Sequence, residues 1–294
     1  MKDWIRNLRS IDFAGKYSQS FQDGLIDSVF ANIGVANDPP FCVEFGFNSS
    51  SLTAGSGANV SKLVLDHRWR SLLLDGNFEN HDINLFKYYL TTENICEIFE
   101  QCGVPVEPDY VSVDVDSTDL WLLDKLLSRY RARLFSVEYS SNFPLDRAIT
   151  IRNHPSRAWQ ADRGYGASLK ALNMVAQRHG YSLLWVVKYL DAFFVRNDLI
   201  DDGSSQLVSP FSTWWNMTSS GCHKPVSDPS RLADFIDYEV YCATDGDLDQ
   251  SRHAAAGVCR SVLLRNPIRA ISQRLRNKAK KAISLCNLSV NNNQ

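Results

Sequence analysis

A chain of 294 residues with 44% hydrophobic residues, 11% aromatic residues and a formal charge of -2 can bury a large core, which excludes global disorder and favours one large domain with appendages. No apolar run approaches the roughly 18 to 20 residues that span a bilayer, and the opening segment lacks the apolar stretch of a secretory signal, so a soluble, cytoplasmic, unprocessed protein is expected. Seven scattered cysteines, odd in number and never in a C-x-x-C pair, give no support to a disulfide framework or a zinc cage and read as reduced thiols.

From Gln22 to Ile33, Leu25, Ile26, Val29, Phe30 and Ile33 recur at helical spacing and predict an amphipathic helix. After Pro39 and Pro40, the short apolar run Phe41–Phe45 predicts a buried strand. Similar runs at 71–75, 110–114 and Leu134–Glu138 are separated by helical patterns over 93–102 and 119–130. This alternation predicts a parallel sheet with helices on both faces. Residues 167–179 read as a further helix, and 181–187 with 192–195 as an antiparallel hairpin that closes the sheet.

Residues 1–200 are therefore read as one α/β domain. Residues 201–253, rich in Ser, Asp, Gly and Pro and carrying Trp214 and Trp215, read as a loop-rich extension, and 254–294 as two basic amphipathic helices divided by Pro267. No acid follows Asp249 but nine basic residues do; taking those nine from the 31 leaves 22 against 33 acids, a body of about -11 and a tail of about +9. Such a tail can dock on the acidic body, within a monomer or across a homodimer. It can also lie peripherally on an anionic membrane through Ile268, Ile271, Leu275, Ala279 and Ile283. Nucleic acid is not expected as a partner, because no aromatic platform accompanies the charges. The N-x-S/T sequons at Asn48, Asn59, Asn216 and Asn287 are treated as chance.

Four expected strands end in acids, Glu44, Asp75, Asp114 and Glu138, and ligands of open α/β sheets bind at the carboxyl ends of strands, so these acids outline one site. The loop Val43-Glu44-Phe45-Gly46 has one glycine where a dinucleotide fingerprint has three. Gly46 reads as permitting close backbone approach to a cofactor whose polar end Glu44 anchors, or else the segment is an ordinary strand-to-helix turn. Asp75-Gly76-Asn77 places an acid where nucleoside-binding sheets bond ribose hydroxyls. Alternation puts Asp114 and Asp116 on one side, where repulsion calls for a cation or a donor. They read as ligands of a divalent metal or as a base; the alternative is that Asp116 or Ser117 caps the next helix while Asp119 favours its N-terminus. Glu138 and Asn142 add oxygens, giving a hard-cation site for Mg or Mn from Asp114, Asp116, Glu138 and Asn142. Among six histidines, His154 is the one placed to act as a base. No G-x-S-x-G elbow, P-loop or H-E-x-x-H is present, which leaves hydrolase and NTPase readings unsupported.

The strings Tyr17-Ser18-Gln19-Ser20-Phe21-Gln22-Asp23-Gly24, Val43-Glu44-Phe45-Gly46, Leu74-Asp75-Gly76, Thr92-Glu93-Asn94-Ile95, Ser112-Val113-Asp114-Val115-Asp116, Val137-Glu138-Tyr139, Tyr165-Gly166-Ala167-Ser168-Leu169 and Ala192-Phe193-Phe194-Val195-Arg196 together resemble the FkbM-like group of S-adenosylmethionine-dependent methyltransferases. The eight blocks are colinear, and the match covers about Tyr17 to Leu199. The resemblance implies a Rossmann-like class I methyltransferase fold with a seven-stranded, mostly parallel sheet, and methyl transfer to oxygen, commonly a sugar hydroxyl of a glycan or glycosylated metabolite. By that pattern Glu44 and Gly46 hold the methionine part of S-adenosylmethionine, and Asp75 with Gly76 its ribose. Glu93, Asn94 and Ile95 flank the adenine, Gln19 and Asp23 close over the cofactor, and Asp114 borders it. The chain departs from the pattern at Phe47-Asn48-Ser49-Ser50, where the family carries a second small or acidic pair. Two rival readings are a hydride-transferring enzyme, weakened by the absent G-x-G-x-x-G, and a non-catalytic scaffold that works through its basic C-terminal helices.

Overall fold

A computed structural model describes residues 3–53, 58–154, 159–200 and 224–264. Its strands are β1 (Phe41–Phe45), β2 (Arg70–Asp75), β3 (Leu85–Lys87), β4 (Tyr110–Val113), β5 (Leu134–Glu138), β6 (Ile149–Ile151), β7 (Tyr181–Val186), β8 (Asp191–Arg196) and β9 (Phe235–Asp237). Its helices are α1 (Asp3–Asn7), α2 (Gln22–Ile33), α3 (Ser61–Leu65), α4 (Ile95–Gln101), α5 (Asp119–Leu127), α6 (Leu169–Arg178), α7 (Asn197–Ile200), α8 (Tyr238–Ala243) and α9 (Leu248–Leu263).

Seven strands form one sheet in the order β3-β2-β1-β4-β5-β8-β7, with β8 antiparallel to both neighbours and the other pairings parallel. Counted along the chain, the sheet runs third, second, first, fourth, fifth, seventh, sixth. That order with its single reversed strand is the class I methyltransferase sheet expected from the sequence. Strands buried on both faces read as continuous apolar runs, and β1 is buried at every position. Phe41, Val43 and Phe45 face one core with Ile95 and Phe99 of α4, Leu123 of α5 and Leu172 of α6; Cys42 faces the other with Leu25 and Val29 of α2 and Leu63 of α3.

A smaller unit adjoins this sheet. Strand β6 pairs antiparallel with β9, and α9 packs over them in a third core of Phe143, Ile149, Ile151, Val226, Phe235, Ala255, Cys259 and Leu263. Here the structure departs from the expected loop. Helix α9 begins at Leu248, six residues before the expected start at Ala254, because the Asp247 carboxylate caps it by accepting from the N–H groups of Asp249 and Gln250. Trp214, Trp215, Pro267 and the basic tail from Arg265 onward lie outside the described residues. Cys42, Cys96, Cys102, Cys242 and Cys259 are free thiols. No helix among the described residues is long and apolar enough to cross a membrane.

Candidate functional site

The chain leaves β1 toward β2 and β3 on one side and crosses to β4 and β5 on the other, so the crevice of this sheet opens at the ends of β1 and β4. Gly46 follows β1 with φ +64, and a Cβ on it would lie 1.7 Å from the carbonyl oxygen of Asp114. The glycine therefore lets the loop after β1 touch the end of β4. Phe47 turns into the core beside α2, and Asn48, itself at φ 51, donates its N–H to Asp75 Oδ2 at 2.7 Å. Asp75 Oδ1 accepts from the N–H groups of Asn77 at 2.6 Å and Phe78 at 2.9 Å. Asp75 thus ties together the loops after β1 and β2. A carboxylate offers about four acceptor positions, so three backbone donors leave one for a ligand hydroxyl.

Glu44 is 5% exposed and accepts from the N–H of Asn59 at 2.9 Å and of Val60 at 3.1 Å, where the chain enters α3. Burial pushes its carboxyl up to about 8 against the pull of those two donors, and the charge of Asp191 adds to the rise.

Asp114, Asp116 and Glu138 come together, each offering one oxygen, and the three oxygens lie within 4.8 Å of one another. Strand alternation does not produce this. Strand β4 ends at Val113, and Asp116 reaches the group through a left-handed backbone at φ 57. Asp119 holds the turn from below, accepting from Val115 N at 2.7 Å and Ser117 N at 2.9 Å. It supports the loop and leaves Asp114 and Asp116 to the crevice, while the cap position Thr118 makes no side-chain cap bond. Burial, then the charges of Asp116, Asp119 and Asp191, raise the Asp114 carboxyl well above its ordinary range. Burial and the charges of Asp114 and Asp116 do the same to Glu138. Neither Asp114 nor Glu138 has a basic partner among the described residues. A positively charged occupant would let both ionise. Three hard oxygens in this arrangement fit a divalent cation of the Mg or Mn type.

Beneath the acids runs a buried polar chain that the sequence did not announce. Tyr110 Oη lies 2.7 Å from Ser136 Oγ, Ser136 donates to Ser112 Oγ at 3.1 Å, and Asn59 Nδ2 donates to Ser112 Oγ at 3.1 Å and to Asp191 Oδ2 at 3.0 Å. Gln22 Nε2 reaches the same Asp191 oxygen at 3.3 Å. Asp191 pairs in register with Glu138, and burial raises its carboxyl. Asn59 Oδ1 is buried without a hydrogen-bond partner beside Glu44. An unpaired buried acceptor next to a carboxylate suits an ammonium donor, as an amino-acid-bearing cofactor would provide.

The other expected site residues are distributed differently. Gln19 is exposed, and Gln22 is the buried glutamine of that segment. Asp23 is buried and accepts from Lys16 N, Tyr17 N and Ser18 Oγ; burial opposes its ionisation, yet these donors hold its carboxyl below the ordinary range. It fixes the entry to α2. Gly76 has open space around it. Glu93 is exposed, Asn94 braces the turn before α4 by bonding Thr91 N and Tyr89 O, and the Ile95 side chain is wholly within the core. Asn142 is buried, with Nδ2 donating to Ser140 Oγ at 3.3 Å. His154, in the loop after β6, is not among the three side chains that converge. Tyr165 is buried, and burial, then the charges of Glu138, Asp116 and Asp114, raise its phenol above the ordinary range.

No protein-family model matches the chain, and no curated protein matches it. Among solved structures, a SAM dependent methyltransferase from Archaeoglobus fulgidus is similar at 9% identity and TM-score 0.29, over 56% of this chain and 71% of that one. An O-methyltransferase family protein from Burkholderia thailandensis is similar at 8% identity and TM-score 0.32, over 60% of this chain and 59% of that one. The fold assignment rests on the strand order and not on these likenesses.

Proposed function

We propose that the chain is an S-adenosylmethionine-dependent O-methyltransferase acting on a sugar hydroxyl of a glycan or glycosylated metabolite, with Asp114, Asp116 and Glu138 binding Mg or Mn. The observation that supports this most is the convergence of those three carboxylates beside Glu44 at the crevice of a sheet with the methyltransferase strand order. Glu44 and Asn59 Oδ1 would receive the cofactor's amino group, and Asp75 a ribose hydroxyl. When bound, S-adenosylmethionine supplies a methyl group on a positively charged sulfur. The protein has to orient the acceptor oxygen in line with that carbon and accept the proton the hydroxyl loses. A cation on Asp114, Asp116 and Glu138 would lower the hydroxyl's pKa. The same carboxylates, ionised by its charge, would then be competent to take the proton.

The test compares melting temperature with saturating S-adenosylmethionine and with nicotinamide dinucleotides; a ligand at 100 times its Kd stabilises by about 2.7 kcal/mol. A rise with S-adenosylmethionine alone is expected. Response to neither ligand rejects the reading and favours a scaffold; response to the dinucleotide replaces methyl transfer with hydride transfer.

A further inference from the structure

Asn59 is held at both ends by buried acids. Its backbone N–H donates to Glu44 Oε1 at 2.9 Å, and its side-chain Nδ2 donates to Asp191 Oδ2 at 3.0 Å and to Ser112 Oγ at 3.1 Å. Glu44 pairs in register with Ser112, and Asp191 with Glu138, so these bonds reach two rows of the sheet at the crevice. Asn59 is 4% exposed. Both hydrogens of Nδ2 are engaged, whereas Oδ1 is buried without a hydrogen-bond partner. A buried amide oxygen left unbonded is costly, and a half-turn of the amide would exchange its oxygen and nitrogen, so something holds it as it is.

Asp191 sets the orientation. Gln22 Oε1 accepts from Ser20 N at 2.8 Å, and a backbone N–H can only donate, so Gln22 has to present Nε2 to Asp191 Oδ2, at 3.3 Å. That oxygen is the acceptor for Gln22 on one side and for Asn59 on the other. Turning the Asn59 amide over would set Oδ1 against it, oxygen against oxygen. Ser112 imposes no direction, because a hydroxyl donates or accepts; its Oγ already accepts from Ser136 at 3.1 Å. The chain of bonds from Ser20 N through Gln22 and Asp191 therefore keeps the Asn59 oxygen unpaired in the folded protein.

We propose that Asp191 is a positioning residue: acting through Asn59, it presents an amide oxygen to the amino group of the bound cofactor and makes the crevice selective for a nucleoside that carries a free amine. Carboxylates bonded to both ends of Asn59 favour a cationic donor over a neutral hydroxyl. A primary ammonium brings three N–H donors on one compact atom, whereas a guanidinium is a planar fork that needs a wider edge. The inference rests on the methyl-transfer reading for the identity of the cofactor, and the experiment separates the two.

Calorimetry on wild type, Asp191→Ala and Asp191→Asn measures three ligands: S-adenosylhomocysteine, its analogue with hydrogen in place of the amino group, and 5′-methylthioadenosine. The last lacks the amino-acid part and reports whether the nucleoside end of the site is folded. In wild type the desamino analogue is expected to bind about tenfold to a hundredfold more weakly than S-adenosylhomocysteine. In Asp191→Ala the Asn59 amide is free to turn and take the Ser112 hydroxyl as its donor. The two ligands should then fall within about threefold of each other while methylthioadenosine binds as in wild type. Asp191→Asn should restore the discrimination, because Gln22 Nε2 holds the introduced amide with its oxygen in the same place. If Asp191→Asn discriminates as poorly as Asp191→Ala, Asp191 acts by its charge and the orienting role is overturned. Full discrimination in Asp191→Ala overturns it as well. Where Asp191→Ala does not bind methylthioadenosine, Asp191→Ser takes its place, since a hydroxyl there also sets no direction. Wild type that binds S-adenosylhomocysteine and the desamino analogue equally removes the orienting role alone; wild type that binds none of the three ligands removes the methyl-transfer reading and this role with it.

Discussion

Gly46→Ala tests whether the loop after β1 and the end of β4 act as one unit. A Cβ on Gly46 would sit 1.7 Å from the Asp114 carbonyl oxygen, whereas real Cβ contacts essentially never fall below 3.0 Å, so that oxygen must retreat by about 1.3 Å. Asp114 carries both this carbonyl and one of the three carboxylates grouped within 4.8 Å, so a backbone shift of that size opens the group. A left-handed alanine costs about 1–2 kcal/mol, and forcing an overpacked contact about 1–3 kcal/mol. Together these give about 2–5 kcal/mol, or a fall in melting temperature of about 4–20 °C for a domain of this size. Gly34→Ala is the control, because Gly34 also has positive φ, at +68, but nothing lies within 4 Å of its Cβ position. Its backbone, at φ 68 and ψ -172, is in an almost glycine-only region, so this variant carries a purely conformational cost of about 1–3 kcal/mol. Thermal melts and calorimetric titration with Mn²⁺ should show the larger loss in Gly46→Ala, together with weakened Mn²⁺ binding that Gly34→Ala does not share. Equal losses in the two variants, with Mn²⁺ bound as in wild type, would refute the coupling.

Three further outcomes are expected. Glu44 holds its proton to about pH 8 in the folded chain and to about 4.5 when unfolded, so the folded state binds more protons between those values; stability of the unliganded protein therefore falls as pH rises through that window, by at most about 5 kcal/mol. Urea denaturation at pH 5.5 and 9 should show that slope, and Glu44→Gln should reduce it, leaving the part due to the raised carboxyls of Asp114, Glu138 and Asp191. Mn²⁺ should raise the melting temperature of wild type but not of Glu138→Gln, and a chelator should stop turnover; turnover that survives chelation would mean the carboxylates act as bases without a metal. Arg231→Met strands the buried Asp162 carboxylate without its counter-charge and should cost about 3–5 kcal/mol of stability, read by denaturant titration.

The main sheet was legible in the sequence because its central strands are buried on both faces and spell continuous apolar runs. The three-residue edge strand Leu85–Lys87 was not, since it is too short to show a period. Pairing of β6 with β9 joins Ile149 to Asp237, a separation no local pattern can signal. Reading acids at strand ends put Asp114 and Glu138 in one site; Asp116 joins them through a left-handed turn that the expected alternation did not describe. That rule misses Asp191 for a physical reason: β8 runs antiparallel, so its first residue, and not its last, arrives at the carboxyl ends of its neighbours. Asn59 stood in the sequence only as a chance sequon, and Tyr165 only as part of a resemblance; their proximity to the acids depends on tertiary folding. Gln19 and Gln22 are three residues apart, and only the helix start at Gln22 decides which of them is buried.

The polar chain from Tyr110 to Asp191 bears on how the sheet is assembled. A one-residue misalignment of β8 would swap two faces that are both buried, so it is opposed by turning Asp191 out of the network and not by burial. A two-residue misalignment is harder to reject, because Asp191, Phe193 and Val195 share a face and a shift by two keeps apolar groups on it. Such a shift would carry Asp191 away from Asn59 and Gln22 and leave its buried carboxylate and the Gln22 amide without these partners, at several kcal/mol. The network therefore acts as a proofreading key for the last strand to be threaded into the sheet. Mutational drift at Ser112, Ser136, Asn59 or Asp191 would have to proceed in concert, since a change at one tooth of the key leaves the others unmatched.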